Sequence, residues 1–187
     1  MKILVTGFEP FLDNDINPSK ELVESSLFAS FDTMILPVSY GKARESLLLA
    51  IDSINPDLVL SFGLASSRKG ITIEKKAINM LDAKCPDADG VTKRKEIIDP
   101  SLPPSLVTEF PLEELVNALK KDGIPLSISL DAGRYICNEV FFTSLAQKPL
   151  SLFVHLPAFS ISSLDDDIIL AKAIMSFIKH EVCLSKK

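Results

Sequence analysis

The chain is poor in cysteine and histidine and has no block of positive charge. Three cysteines among 187 residues, an odd number with no close pairing, argue against a secreted disulfide framework and for a reducing compartment. Two histidines and no C-x-x-C leave no recognisable zinc-ligand set. Twenty basic side chains stand against 25 acidic ones, a net charge of -5, with no dense basic tract. A nucleic-acid phosphate backbone is thereby excluded as the main partner. No run approaches the ~18 apolar residues of a membrane span. The apolar stretch over residues 3–5 is too short for a signal peptide. There is no internal repeat, no G-x-G-x-x-G after the first strand and no G-x-x-x-x-G-K-[ST]. What remains is ordinary: 47% hydrophobic and 24% charged residues, as in soluble globular domains. The expectation is one cytoplasmic domain over residues 1–187, without metal, cofactor, nucleic-acid or membrane partner.

Short apolar runs alternate with longer amphipathic ones. Strands are predicted over residues 2–6, 33–38, 58–62, 126–130 and 150–155, with an extended start to 71–81. Helices are predicted over 18–27, 42–54, 112–121, 137–147 and from 164 to about 182. Asn17-Pro18 reads as an N-cap followed by proline at the first helical position. Asn55-Pro56 ends the second helix, Ser163-Leu164-Asp165-Asp166 resembles a capping box, and Pro37 suggests an edge strand. Residues 85–111, with many prolines and aspartates, read as a long ordered loop, a feature more often functional than accidental. The alternation implies an α/β fold, a three-layer α/β/α sandwich around a mostly parallel twisted sheet. Sites in such sheets form beyond the carboxyl ends of the strands.

At one of those ends, Cys137 opens a predicted helix after a glycine-containing turn. The positive end of a helix dipole lowers a thiol's ordinary pKa of about 8.5, although a small buried hydrophobe is the alternative. Cys85, before a proline in the long loop, and Cys183, near the end of the chain, are assigned no role. A nucleophilic thiol needs a base. His155 ends an apolar strand, whereas His180 reads as solvent-facing. Glu74 interrupts Ile71-Thr72-Ile73-Glu74 and is the candidate acid to orient an imidazole. A solvent-facing edge residue beside Lys75 and Lys76 is the other reading, and spacing does not choose between them. The aspartates at 165–167 read as charge at a helix N-terminus.

These residues carry a resemblance. Val5-Thr6-Gly7-Phe8-Glu9-Pro10-Phe11 with Asn17-Pro18 is similar to the N-terminus of the pyroglutamyl peptidase I family of cysteine peptidases. Leu36-Pro37-Val38, Gly63, Arg68, Glu74, Ala77-Ile78-Asn79, Cys137-Asn138 and His155 with Pro157 follow in the family's order. The resemblance covers most of residues 1–160. It implies a triad of Cys137, His155 and Glu74 and a pyroglutamate pocket walled by Phe8 and Phe11. It also implies lactam recognition by Asn17, with Leu64, Tyr135 and Ile136 completing the pocket and Arg68 and Lys84 nearby. The implied reaction removes N-terminal pyroglutamate from peptide substrates through a thioester. The implied assembly is a homo-oligomer, tetramer or dimer.

The chain departs from the family pattern at several positions. Leu12-Asp13 stands where a glycine pair is usual, and Leu64 where a glutamine is. Lys84 replaces an arginine and lacks its forked contact. Ser66 and Ser67 replace glycines, Asp131 a small hydroxyl residue, and Arg134 stands close to Cys137. A related hydrolase of another small lactam or amide, and a catalytically silent binding homologue, are the competing expectations.

Overall fold

The structure is a computed structural model describing residues 1–11, 15–159 and 162–182. Leu12, Asp13 and Cys183 lie outside the described residues. The elements run β1 (Ile3–Phe8), α1 (Pro18–Glu24), β2 (Asp32–Leu36), α2 (Lys42–Ile54), β3 (Leu58–Leu64), β4 (Ile71–Glu74) and β5 (Lys76–Ile78). Then follow β6 (Ser105–Val107), α3 (Leu112–Lys121), β7 (Leu126–Ser129), α4 (Ile136–Gln147), β8 (Leu152–Leu156) and α5 (Leu164–Phe177). Among the described residues no helix is long and apolar enough to cross a membrane.

Six strands form one sheet in the order β2-β1-β3-β8-β4-β7, and β5 and β6 form a small antiparallel pair. Neighbours pair parallel except at β8–β4, where the direction reverses. The sheet is thus mostly parallel, with β4 and β7 turned against the other four. Side chains of period two feed both faces. Ile3, Val5, Leu58, Leu60, Phe62, Leu152, Val154 and Leu156 pack toward α1, α3 and α5. Leu4, Phe8, Val59 and Phe153 pack toward α2 and α4. Central strands buried on both faces read as continuous apolar runs, which is why β1, β3 and β8 are legible in the sequence.

The helix ends follow local chemistry. Asn17 caps α1, its Oδ1 accepting from Ser19 N at 3.1 Å. Ser163 and Asp166 exchange side-chain and backbone bonds in a capping box at α5. The helix expected over 18–27 is shorter, ending at Glu24 before a 3₁₀ turn at Ser26–Phe28. β2 is an edge strand as expected, but it stops at Leu36, so Pro37 costs no ladder bond. The expected 164–182 helix is α-helical to Phe177 and continues as a π turn over Ile178–Val182.

The long loop is held by buried polar side chains. Asn79 Nδ2 donates to the carbonyl of Asp99 at 2.7 Å and its Oδ1 accepts from Asp99 N at 2.9 Å. Asp87 accepts from the backbone of Tyr40, Asp89 and Val91. Asn138, inside α4, brackets Ile78 with bonds of 2.8 Å to both its N–H and its carbonyl.

Gly7 is where β1 meets α1. A Cβ there would stand 2.5 Å from the Ser19 carbonyl oxygen, a backbone atom that cannot swing aside. Gly7→Ala is expected to destabilise the protein by about 1–3 kcal/mol, as overpacking does. A urea unfolding midpoint checks it; an unchanged midpoint would mean α1 is not seated on β1 as described.

Candidate active site

The carboxyl ends of β3 and β8 lie side by side, with Gly63 opposite His155 in the register. β4 arrives antiparallel on the other side, with Thr72 opposite His155. Two residues further on, Glu74 shares Thr72's face of the strand. Its carboxylate reaches back to His155, Oε1 lying 2.7 Å from Nδ1. Glu74 is fully buried and His155 is 4% exposed. The expectation left open for Glu74, a solvent-facing edge residue, is corrected: β4 is an interior strand between β8 and β7.

Arg68 Nη1 lies 2.6 Å from the same Oε1 and also donates to the Thr72 hydroxyl. Its Nη2 donates to the Asp131 carbonyl at 2.9 Å. Burial alone would push the Glu74 carboxyl up. The bond from His155, the nearby Ser129 hydroxyl and the charges of His155 and Arg68 more than offset that and hold it below its ordinary value. An ionised carboxylate only accepts, so Nδ1 carries the hydrogen and donates, and Nε2 is the ring's acceptor. Burial pushes His155 below its usual pKa despite Glu74, with Arg68 acting in the same direction. The imidazole is therefore neutral near pH 7.

Cys137 lies in the first turn of α4. A Cβ on Gly63 would stand 3.1 Å from the Cys137 sulfur and 2.9 Å from the Phe153 ring. The missing side chain at Gly63 is thus the space that lets the sulfur approach the strand ends. The expectation of a lowered thiol pKa is not met. Burial and the negative charge of Glu74 push Cys137 up to about 12, while Arg68 and the thiol's own backbone N–H act the other way without prevailing. Position at a helix start is outweighed by burial and by the Glu74 charge. The resting pair is neutral thiol and neutral imidazole.

Beside the sulfur is a pocket of about 230 Å³, below the roughly 300–1,000 Å³ of sites for drug-sized ligands. Of the expected lining, Phe8, Phe11, Asn17, Leu64, Tyr135 and Ile136 all border it together with Cys137. Phe11 stacks on Tyr135 with ring centroids 6.1 Å apart, and the Tyr135 hydroxyl donates to the Pro86 carbonyl at 2.9 Å. The Asn17 amide is already engaged: Oδ1 accepts from Ser19 and Nδ2 donates to the Glu9 carbonyl at 3.0 Å. Lys84 is exposed and does not border the pocket. The next residue, Cys85, does, as do Ser66 and Val38. Cys85 was missed because an irregular loop has no periodicity to show which way a side chain turns. Asp131 and Arg134, both departures, pair with each other at 2.6 Å. A larger groove of about 720 Å³ runs past Arg68 along the outer sheet edge without touching Cys137.

The family model described as pyroglutamyl peptidase matches residues 1–175. The pyrrolidone-carboxylate peptidase of Pyrococcus furiosus is 36% identical over 172 residues, covering 84% of this chain and 81% of its own. That of Brevibacillus brevis is 38% identical over 167 residues, covering 83% and 77%. A mutant pyrrolidone carboxyl peptidase structure from P. furiosus superposes with a TM-score of 0.87 at 32% identity, covering 97% of this chain and all of that one.

The titration directions predict how Cys137 reacts. Its alkylation by iodoacetamide should keep accelerating well above neutral pH instead of levelling off near pH 7, with exposed Cys85 labelled separately. Mass-spectrometric peptide mapping over a pH series checks this; a plateau near neutrality at Cys137 would mean a preformed thiolate–imidazolium pair.

Proposed function

Since this chain belongs to the pyroglutamyl peptidase family, we propose that it removes N-terminal pyroglutamate from peptides, with Cys137 as nucleophile, His155 as general base and acid, and Glu74 as the orienting carboxylate. The observation that carries the reading is the buried 2.7 Å Glu74–His155 pair on the sheet face that α4 covers with Cys137, beside a small aromatic pocket. Neutral imidazole is the form a base needs, and a thiol that keeps its proton at rest can give it up as attack begins.

In this mechanism the ring packs against Phe8 and Phe11 with its acyl carbon at the sulfur. Cys137 Sγ attacks while His155 Nε2 takes the thiol proton. The oxyanion is met by backbone N–H groups at the start of α4, where Tyr135 supplies no side-chain cap and Cys137 N–H is the foremost donor. Collapse breaks the C–N bond, and His155 returns the proton to the departing amine. Water, deprotonated by the same imidazole, then cleaves the thioester and frees pyroglutamate.

The pocket limits specificity to a small neutral ring. Asn17 retains a second amide hydrogen for the lactam carbonyl, since its NH₂ carries two donors. The Leu64 side chain contributes no polar group, so recognition of the lactam edge falls to Asn17, to the Ser66 hydroxyl at the pocket border and to backbone groups. That shortage favours a second reading, a hydrolase less strict than its relatives toward five-membered rings. The reading further includes a single domain, cytoplasmic location and a homotetramer or dimer working without metal or cofactor.

A fluorogenic pyroglutamyl amide should be cleaved, and Cys137→Ala should lower turnover to background while leaving the fold intact by circular dichroism. Prolyl and glutaminyl amides should be refused. Cleavage surviving in Cys137→Ala would overturn the assignment, and cleavage of the prolyl amide would favour the second reading. Light scattering after gel filtration should report two or four copies; a monomer would remove the oligomer from the proposal.

A further inference from the structure

We propose that Arg68 is a positioning residue of this site: its guanidinium is the counter-charge to Glu74, which leaves the imidazole free to act as base, and it ties Glu74 to the loop leading into Cys137. The inference deepens the peptidase reading and rests on it.

Arg68 sits on the connection between β3 and β4, and its two terminal nitrogens serve different elements. Nη1 lies 2.6 Å from Glu74 Oε1, and Nη2 lies 2.9 Å from the Asp131 carbonyl. Residues 130–135 are the segment between β7 and α4, so the guanidinium bridges the acid and the approach to the sulfur. A lysine, with one compact charge, lacks that fork. The pair is mostly out of water, with 24% of the Arg68 side chain and none of Glu74 exposed.

The charge balance gives the bridge its consequence. The imidazole meets Glu74 from β4 and the charge of Arg68 from the β3–β4 connection, and Cys137 from α4 lies near Gly63, the register partner of His155. Asp131 and Arg134, from the segment before α4, neutralise each other at 2.6 Å. A fully buried carboxylate demands a compensating positive charge. With Arg68 present that charge is permanent, because guanidinium does not deprotonate. Without it, a proton must compensate Glu74, and of the two bonded groups the imidazole, 2.7 Å away, has the higher ordinary pKa and takes it. Imidazolium cannot take a proton from the thiol. The directions agree: the charge of Arg68 lowers the pKa of Glu74, His155 and Cys137 alike.

The test compares Arg68→Met, Arg68→Gln and Arg68→Lys in full-length protein, using pH profiles of kcat and kcat/KM on a pyroglutamyl amide. In parallel, the His155 ring is followed by nitrogen NMR. Met and Gln should move the acid limb upward by roughly one pH unit, the size of a lost neighbouring charge. KM should change little, since Arg68 does not border the pocket, and activity should recover toward alkaline pH. Lys should keep the limb near its native position with a lower kcat throughout, because the tie to Asp131 is gone. An unmoved limb in a folded Met or Gln variant, or a change in KM alone, would overturn the proposal. If the native chain releases no pyroglutamate, the peptidase reading fails first. The NMR titration of His155 with and without Arg68 still decides the role of the guanidinium.

Discussion

A carboxylate with no exposed surface is the constraint around which this end of the molecule is arranged. Glu74 is fully buried and held ionised, and one of its oxygens, Oε2, makes no hydrogen bond. Such a group persists only where partners meet it in fixed positions. They come from different segments: His155 on β8 and Arg68 before β4, with the Ser129 hydroxyl of β7 nearby. Each also fixes something else. The imidazole is turned so that Nε2 is its acceptor, the guanidinium holds the segment before α4, and β7 completes the edge of the sheet. The same carboxylate raises the Cys137 thiol pKa, so the group bonded to the imidazole also resists ionisation of the thiol.

The reversal of β4 sets the direction from which Glu74 meets the ring. Running antiparallel, β4 sets Thr72 against His155 and Glu74 one step deeper on the same face. From there the longer glutamate side chain reaches back to the ring. Gly63, opposite His155 on the other side, leaves room for the sulfur. Three strands and one helix start thus converge through register alone, and a slip of one residue in β4 would turn Glu74 to the opposite face.

Much of this was legible in the sequence for identifiable reasons. β1, β3 and β8 are buried on both faces, so their composition betrays them. Cys137 and His155 sit at element ends, where punctuation by glycine and proline is strong. The pocket lining on Phe8, Phe11, Asn17, Tyr135 and Ile136 followed from resemblance, since a phenylalanine in a wall and one in a core look alike. The hidden part was long-range. Nothing local separates an interior Glu74 from a solvent-facing one, because the answer depends on β7 pairing with β4 across more than fifty residues. The thiol pKa departs from expectation because helix position is local while burial and the Glu74 charge are not. Asn138 shows a third kind of hidden role. Its place beside Cys137 suggests chemistry, yet its amide is spent on Ile78 and Met80, locking α4 to the β5 segment.

The departures from the family pattern become less disruptive once they are located. Asp131 and Arg134 look alarming beside a nucleophile, since either charge alone would bias the titration of the site. In the fold they form a pair, and Asp131 Oδ1 also accepts from Gly133 N at 3.0 Å. The added charges therefore cancel within the segment and stiffen it, while the Asp131 carbonyl remains the acceptor for Arg68. Leu64 is different, because nothing pairs with the loss of a polar side chain in a pocket. With the Asn17 amide partly committed to Glu9 and Ser19, the polar side-chain capacity there is one amide hydrogen and the Ser66 hydroxyl. A site of this kind binds its ring chiefly by apolar enclosure, and enclosure discriminates between similar rings far less sharply than a filled set of hydrogen bonds does. In the proposed reading, triad chemistry and ring selectivity are thus separable: the first would be built on a compensated buried charge, and the second on one amide, one hydroxyl and a set of apolar walls.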